Sequence, residues 1–305
     1  MLESLFMRGG LSLDRMRSFL AVVEAGGMAR AAPASPARQA QFSRQVSELE
    51  QFFGAPLLRR RGRGVEPTAA GLELAALVRV HLHALAEFRQ RCEARPVTVR
   101  LGAGDNLLHW LVIPALGSLA RKHRDTRYEL RNLTNQGTLA ALEDGSIDFG
   151  VVSRGTVTPR FDRQPVGEYR HVFVAPKALC GARDFQNLAR MLEAMPLAGR
   201  PLVADEWHGL RSWAERTGVS LTPALECESY PQVAAAVRSG HYAAFLPGPL
   251  VPSLPRAQIR ILERLPATVR PRRIELVFLR GNQALRPTLR ALSPLLKEIL
   301  EKQVG

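Results

Sequence analysis

Apolar positions in residues 11–94 recur at helical spacing. Leu13, Met16, Leu20 and Val23 lie three or four apart and predict one face of a first helix, ended by Gly26-Gly27. A short segment, Met28 to Ala32, stops at Pro33, which a helix interior does not accommodate. Ser35-Pro36 is a start signal, a capping hydroxyl with proline at the first helical position. From there Phe42, Val46, Leu49 and Phe53 form the apolar stripe of a helix that Gly54 closes. Leu57 to Thr68 holds two short extended runs around a basic, Gly-containing turn and predicts a small hairpin. Thr68 then caps a long helix to about Ala94, in which Leu74, Val78, His81, Leu85, Phe88 and Cys92 approach the period of a coiled-coil seam. One apolar stripe with no sequence neighbour needs a partner, and a second copy of the chain is the simplest. Short helix, turn, longer helix and basic hairpin together make a winged helix-turn-helix pattern.

At Arg95-Pro96 the pattern changes to alternating strand and helix. Val97–Leu101, Tyr128–Leu133 and Ile147–Val152 are predicted strands, with helices after Gly102-Ala103-Gly104 and over Gln136–Asp144. That alternation predicts parallel α/β architecture. His171–Ala175, Pro201–Ala204, Ala243–Leu246 and Arg273–Leu279 are further predicted strands. Trp207–Thr217, Pro231–Ser239 and Leu285–Gln303 are predicted helices. So much chain exceeds one small sheet and predicts two lobes. The expected division is a tail at 1–10, a head at 11–68, a linker helix at 69–95 and an α/β module at 96–305. Within the module, the first lobe is expected at about 96–168 and 268–305, and the second at about 169–267.

Composition changes this picture little. The 305 residues are 46% hydrophobic and 23% charged, ordinary for a globular chain. No run approaches the roughly 18 to 20 apolar residues of a membrane span, so no membrane partner is expected. Nor does Met1–Gly10 resemble a signal peptide. Cys92, Cys180 and Cys227 are far apart, which argues against a disulfide framework or zinc site and fits a reducing cytoplasm. The net charge of +14 invites a nucleic-acid reading, but only four of the 42 basic residues are lysines, a bias that genome composition can produce. Residues 1–94 carry 13 Arg against nine Asp+Glu, so the bulk of the excess lies in the α/β part.

Placement is more telling than charge. Leu13, Met16, Phe19, Val22, Ala25-Gly26-Gly27-Met28 and Ala31-Ala32 resemble the opening of LysR-type transcriptional regulators. So do Gln39, Phe42-Ser43-Arg44-Gln45-Val46, Leu49-Glu50, Phe53-Gly54, Pro56-Leu57-Leu58, Arg60 and Thr68-x-x-Gly71. Leu142-x-x-Gly145-x-Ile147-Asp148 and Val237-x-x-Gly240-x-Tyr242-x-Ala244-x-Leu246-Pro247 resemble that family's effector-binding domain. The resemblance implies an α+β multidomain chain: a winged helix-turn-helix, a linker helix and a two-lobed, periplasmic-binding-protein-like α/β domain. It implies a cytoplasmic homodimer or homotetramer that binds promoter DNA and answers to a small-molecule effector, without catalysis and without a cofactor or metal.

A helix entering the major groove needs polar residues outside and an apolar stripe behind. The candidates for DNA contact are Arg38, Gln39, Gln41, Ser43 and Arg44 on that helix, with Arg61 and Arg63 on the wing. Arg38 and Ala40 depart from the residues that usually flank the family's glutamine. With Pro33 and Pro36 they predict a truncated first helix, an early start to the second, and either an unusual operator preference or weaker DNA binding than is typical.

In α/β folds ligands sit where strand ends meet helix N-termini. Those loops offer Asp105, Asn106, Thr134, Asn135, Ser153, Arg154 and Asp205 as effector contacts, though helix capping would use several of them equally well. Asp105 would repel an anionic effector that Arg154 would attract, so the effector's charge stays open. No Gly-x-Ser-x-Gly, His-Glu-x-x-His or Lys-bearing phosphate loop is present, and His81 and His83 lie on different sides of their helix. Cys180 and Cys227 carry a redox-sensor reading only through the resemblance and Arg183 nearby. A regulator working by protein contacts, or a two-lobed solute receptor or enzyme, are the alternative readings.

Overall fold

In the computed structural model, residues 10–62, 64–153, 160–181, 187–201 and 207–304 are described. The head is built from α1 (Leu13–Ala25), α2 (Met28–Ala31), α3 (Pro36–Phe53) and the hairpin β1 (Leu58–Arg61) and β2 (Gly64–Pro67). Its core is Phe19, Leu20, Val22, Phe42, Val46, Leu49 and Leu57. Two expected stripe residues lie outside this core. Leu13 is 58% exposed, because the buried face of α1 runs through Phe19 and Val22, and Phe53 is 41% exposed at the last turn of α3.

Pro33 ends α2 after four residues, and Ala32 before it leaves the helical region at φ −138°, ψ 68°. Pro36 opens α3 as expected, but the Ser35 hydroxyl does not cap it. The side chain of Gln39 holds this corner instead, donating from Nε2 to the Ala32 carbonyl at 3.0 Å.

Helix α4 (Ala69–Cys92) is 24 residues long. Thr68 caps it, accepting from the Gly71 N–H at 3.0 Å while its hydroxyl donates to the Pro56 carbonyl at 2.7 Å. At Gly71 any Cβ would run into the Leu57 carbonyl oxygen, so only glycine lets the hairpin close on the helix. Leu74, Ala75 and Val78 complete the head core. The expected seam is therefore split. Its first two positions are buried in the head, whereas His81, Leu85, Phe88 and Cys92 are exposed. By length and composition alone α4 could cross a bilayer, but Arg79 and Glu87 are buried along it, in contact with folded protein on either side.

Beyond α4 lies a five-stranded sheet of order β4-β3-β5-β12-β6. Its strands are β3 (Val97–Ala103), β4 (Thr126–Asn132), β5 (Phe149–Ser153), β6 (Phe161–Tyr169) and β12 (Arg272–Leu279). Helices α5 (Ile113–Lys122), α6 (Asn135–Glu143) and the C-terminal α10 (Pro287–Val304) complete this lobe. β3 pairs in parallel with β4 and β5, and β12 alone runs the opposite way, antiparallel to both of its neighbours, β5 and β6. The sheet is thus mixed rather than wholly parallel, because the chain leaves after β6 and returns through β12.

A second, three-stranded antiparallel sheet of order β10-β7-β11 comprises β7 (His171–Pro176), β10 (Ala244–Pro247) and β11 (Ile259–Leu262). With it are α7 (Leu188–Ala194), the short pair β8 (Ala198–Gly199) and β9 (Leu225–Glu226), α8 (His208–Thr217) and α9 (Tyr230–Arg238). The strand expected over 201–204 falls on residues outside the described set, apart from Pro201, which is not in a strand. Helix α10 starts at Pro287 rather than Leu285, since Arg286 before the proline is extended.

Candidate DNA-reading face and interlobe site

Behind α3 the stripe Phe42, Val46 and Leu49 is buried, and Arg38, Gln41, Ser43 and Arg44 face outward, exposed. Arg38 lies over the Phe42 ring, 5.6 Å from its centroid. Gln41 and Arg44 join Ser12, Asp14, Arg15, Gln45 and Glu48 around a recess of about 360 Å³ between α3 and the start of α1. Gln39 departs from the expected outward row. It is half-buried, with an N–H committed to Ala32.

On the wing, Glu66 accepts from Arg59 and from Arg61, each at 2.7 Å. The Arg61 hydrogen bond leads the effects that hold the Glu66 carboxyl below its ordinary range. Arg61 is therefore partly neutralised where it was expected to meet phosphate, while Arg63 lies outside the described residues. Arg60, absent from the expected set, is exposed and forms no ion pair among the described residues. The signal was available: alternation along β1 puts Arg59 and Arg61 on one face with Glu66 and leaves Arg60 on the other.

The second candidate site begins at the C-terminal edge of the parallel strands. Because β4, β3 and β5 are adjacent and parallel, their following loops share one edge, which brings Asp105, Asn106, Thr134, Asn135 and Ser153 together. Two of these do structural work. Thr134 Oγ1 caps α6, accepting from the Gly137 N–H at 3.1 Å. Asn135 donates to the Ser153 carbonyl at 3.3 Å and accepts from its N–H at 3.4 Å, tying the head of α6 to the end of β5. Asn106 is different: its buried Oδ1 has no hydrogen-bond partner among the described residues. Arg154 and Asp205 fall outside the described residues.

Four residues along from Asn106, Trp110 sits in a π-helical turn (Leu108–Val112) just before Pro114. Proline lacks the N–H for the regular ladder, and such widened turns recur at functional sites. Trp110 opens a run of rings between the lobes: Trp110–Tyr169 at 5.5 Å, Tyr169–His171 at 5.5 Å, His171–Trp207 at 5.0 Å and Trp207–Phe245 at 5.8 Å. His171 Nε2 is 3.1 Å from the Tyr230 hydroxyl, and burial pushes the imidazole down to about 3, so it is neutral. The indole N–H groups of Trp110 and Trp207 are buried without hydrogen-bond partners among the described residues. Sequence reasoning missed this cluster, although the scarcity of aromatics was a signal: it contains two of the three tryptophans and two of the four tyrosines.

No group of three or more His, Cys, Asp or Glu able to hold a metal occurs among the described residues. None of the three cysteines forms a disulfide among the described residues, and burial raises the thiol of Cys227, the opposite of what a thiolate sensor requires.

Residues 13–72 match the model of the bacterial regulatory helix-turn-helix proteins of the lysR family, and residues 95–301 match the LysR substrate binding domain. The chain belongs to the LysR family. It is a DNA-binding transcriptional regulator with an effector-binding domain. Among curated relatives, the SDS degradation transcriptional activation protein of Pseudomonas sp. (strain ATCC 19151) is 28% identical over 93% of this chain and 95% of its own length. BenM of Acinetobacter baylyi is 29% identical over 46% of this chain and 47% of its own. ArgP from Mycobacterium tuberculosis has the same fold at a TM-score of 0.71, with 17% identity over 94% of this chain and 96% of that one. A full-length OxyR from Pseudomonas aeruginosa follows at 0.67, with 17% identity over 96% and 95%.

Proposed function

We propose that this LysR-family regulator is a cytoplasmic, non-enzymatic switch. It reads double-stranded operator DNA through α3 and the wing, as a dimer or a pair of dimers, and responds to a small molecule held between its lobes. The observation that carries DNA reading is the outward row Arg38, Gln41, Ser43 and Arg44 on a helix whose opposite stripe is buried. Arg60, and the contacts left to Gln39, Arg61 and Arg63, add a wing and a corner to that face. Support for self-association is the bare face of α4, where Leu77, Leu85 and Phe88 are 56%, 51% and 60% exposed. Support for an effector is the shared loop edge at Asp105, Asn106, Thr134, Asn135 and Ser153, and the indole donors across the ring cluster; Arg154 and Asp205 stay candidates from the sequence.

The test uses the full-length protein and DNA flanking its own gene. The observed association constant falls with salt at about 0.9 decade per decade for each phosphate neutralised. A flat dependence refutes the reading. Phe88→Glu places charges across the exposed seam and converts the assembly to monomers in sedimentation; an unchanged mass refutes α4 as the dimer surface. Metabolites that raise the melting midpoint identify the effector class, since ligands bound only to the folded form stabilise it.

A further inference from the structure

The head neutralises some of its arginines internally and leaves others bare. Arg15 meets Glu48, Arg17 meets Asp14 at 3.3 Å, and Arg59 and Arg61 share Glu66. Arg38 and Arg44 on α3, Arg60 on the wing and Arg30 on α2 form no ion pair among the described residues. The first three stand on elements already assigned to DNA reading. Arg30 does not. Within α2, Met28-Ala29-Arg30-Ala31, it alone carries a hydrogen-bonding side chain, and it is exposed.

What Arg30 touches is a seam. One of its terminal nitrogens donates to the carbonyl of Gly26, which ends α1 at φ 65°. The same oxygen accepts from the Val65 N–H of β2 at 3.3 Å. A Cβ at Gly64 would lie 2.9 Å from that oxygen and 3.3 Å from the Arg30 guanidinium, so only glycine lets the wing close on the turn before α2. Arg30 therefore lies where the helix-turn-helix meets the wing. A guanidinium carries several N–H donors in a planar fork. One bond to a carbonyl orients the fork, and the remaining donors stay in water.

When the second helix of a helix-turn-helix enters the major groove, the first crosses the sugar-phosphate backbone. Here that first helix is α2, cut to four residues, and Arg30 is its single donor side chain. We propose that Arg30 holds a backbone phosphate between the groove entered by α3 and the wing, and that its bond to the Gly26 carbonyl sets the wing against the same DNA strand. The inference rests on the reading that α3 and the wing face operator DNA, and it adds a contact that lies on neither. Such a contact carries no sequence information, because phosphate contacts fix register and orientation while base edges specify.

The test titrates the full-length protein onto operator duplexes from DNA flanking its own gene, across a ladder of salt concentrations. Arg30→Gln keeps an amide for the Gly26 carbonyl but no charge. It lowers the slope of log association constant against log salt by about 0.9, so its deficit shrinks about eight-fold per decade of salt. It also weakens the operator and its single-base variants by one common factor. Arg30→Lys restores the parent slope. Neutral methylphosphonates scanned singly along the duplex mark one position, outside the base pairs read by α3, where the parent and Arg30→Gln bind alike. Reduced affinity with an unchanged slope makes Arg30 a brace of the wing alone and overturns the proposal. So does unchanged affinity, or a loss confined to one base pair. If Arg30→Gln does not melt cooperatively, the scan of the parent decides: a sensitive phosphate at that flank upholds the contact, and its absence overturns it. A parent with flat salt dependence refutes the DNA-reading face itself, whereas a steep parent with an unaltered Arg30→Gln slope refutes only Arg30.

Discussion

The head and the junction with the first lobe handle polar groups in opposite ways. On α3, Arg38, Gln41, Ser43 and Arg44 stand outside a wholly apolar stripe, exposed to water. At the junction, Arg286, Glu87 and Asp148 are almost completely dehydrated and meet one another. The first arrangement suits a partner not yet present, because hydrated side chains are exchanged for phosphate and base contacts at little structural cost. The second suits a joint, because charges taken out of water hold only in a geometry that satisfies all of them.

The largest expected effect breaks the joint. Arg286→Met leaves Glu87 and Asp148 buried without their cation and costs about 3–5 kcal/mol. Chemical denaturation measures it; a loss below about 1 kcal/mol would mean that the site fills with water and is not a joint. Next comes acid sensitivity. His171 is neutral in the fold, pushed to about 3 by burial, against an ordinary value near 6.5 when unfolded. Between those values the unfolded chain binds the extra proton, so stability rises with pH through this window and is flat above it. Lowering the pH from 7 to 5 therefore costs about 2 kcal/mol through His171. His83, pushed to about 3 mainly by burial, acts in the same direction. Melts at the two pH values check this. If His171→Phe does not shrink the difference, the assignment fails.

On the exposed face the balance reverses. Arg44→Ala leaves stability within about 0.5 kcal/mol, yet weakens operator binding by about 1–3 kcal/mol if it reads a base. Titrating matched and mismatched operators distinguishes base reading from a uniform phosphate loss, and a variant as tight as the parent removes Arg44 from the interface.

The same contrast explains what could be read along the chain. The head was legible because its determinants are local: the stripe of α3, the Thr68 cap with Gly71, and the basic hairpin all act within a few residues. The mixed sheet was less so. β6 has an irregular burial pattern, broken by Pro165 and Gly167, so its pairing with β12 shows only in the fold. Of the candidate site, the shared loop edge was legible from strand–helix order, whereas the ring cluster needs the lobes to meet. The Arg286 joint was illegible. Glu87 lies 199 residues from Arg286 and Asp148 lies 138 away, and each looks like an ordinary surface charge in its own segment.

Gln39 stands between the two regimes, and its replacement has the smallest expected effect. Its side chain holds the Ala32 carbonyl at 3.0 Å, across the Pro33–Ser35 corner where no hydroxyl caps α3. A part-buried hydrogen bond of this kind contributes about 1 kcal/mol. If Gln39 works inward, Gln39→Ala lowers head stability by about that amount. It then weakens binding to every operator equally, because α3 is presented less firmly but no base contact is lost. If it also reads a base with its remaining amide groups, the loss falls on one base pair, at about 1–3 kcal/mol. A panel of single-base operator variants titrated with Gln39→Ala decides between them. A uniform loss assigns Gln39 to the fold, and a loss at one position returns it to the reading face beside Arg44.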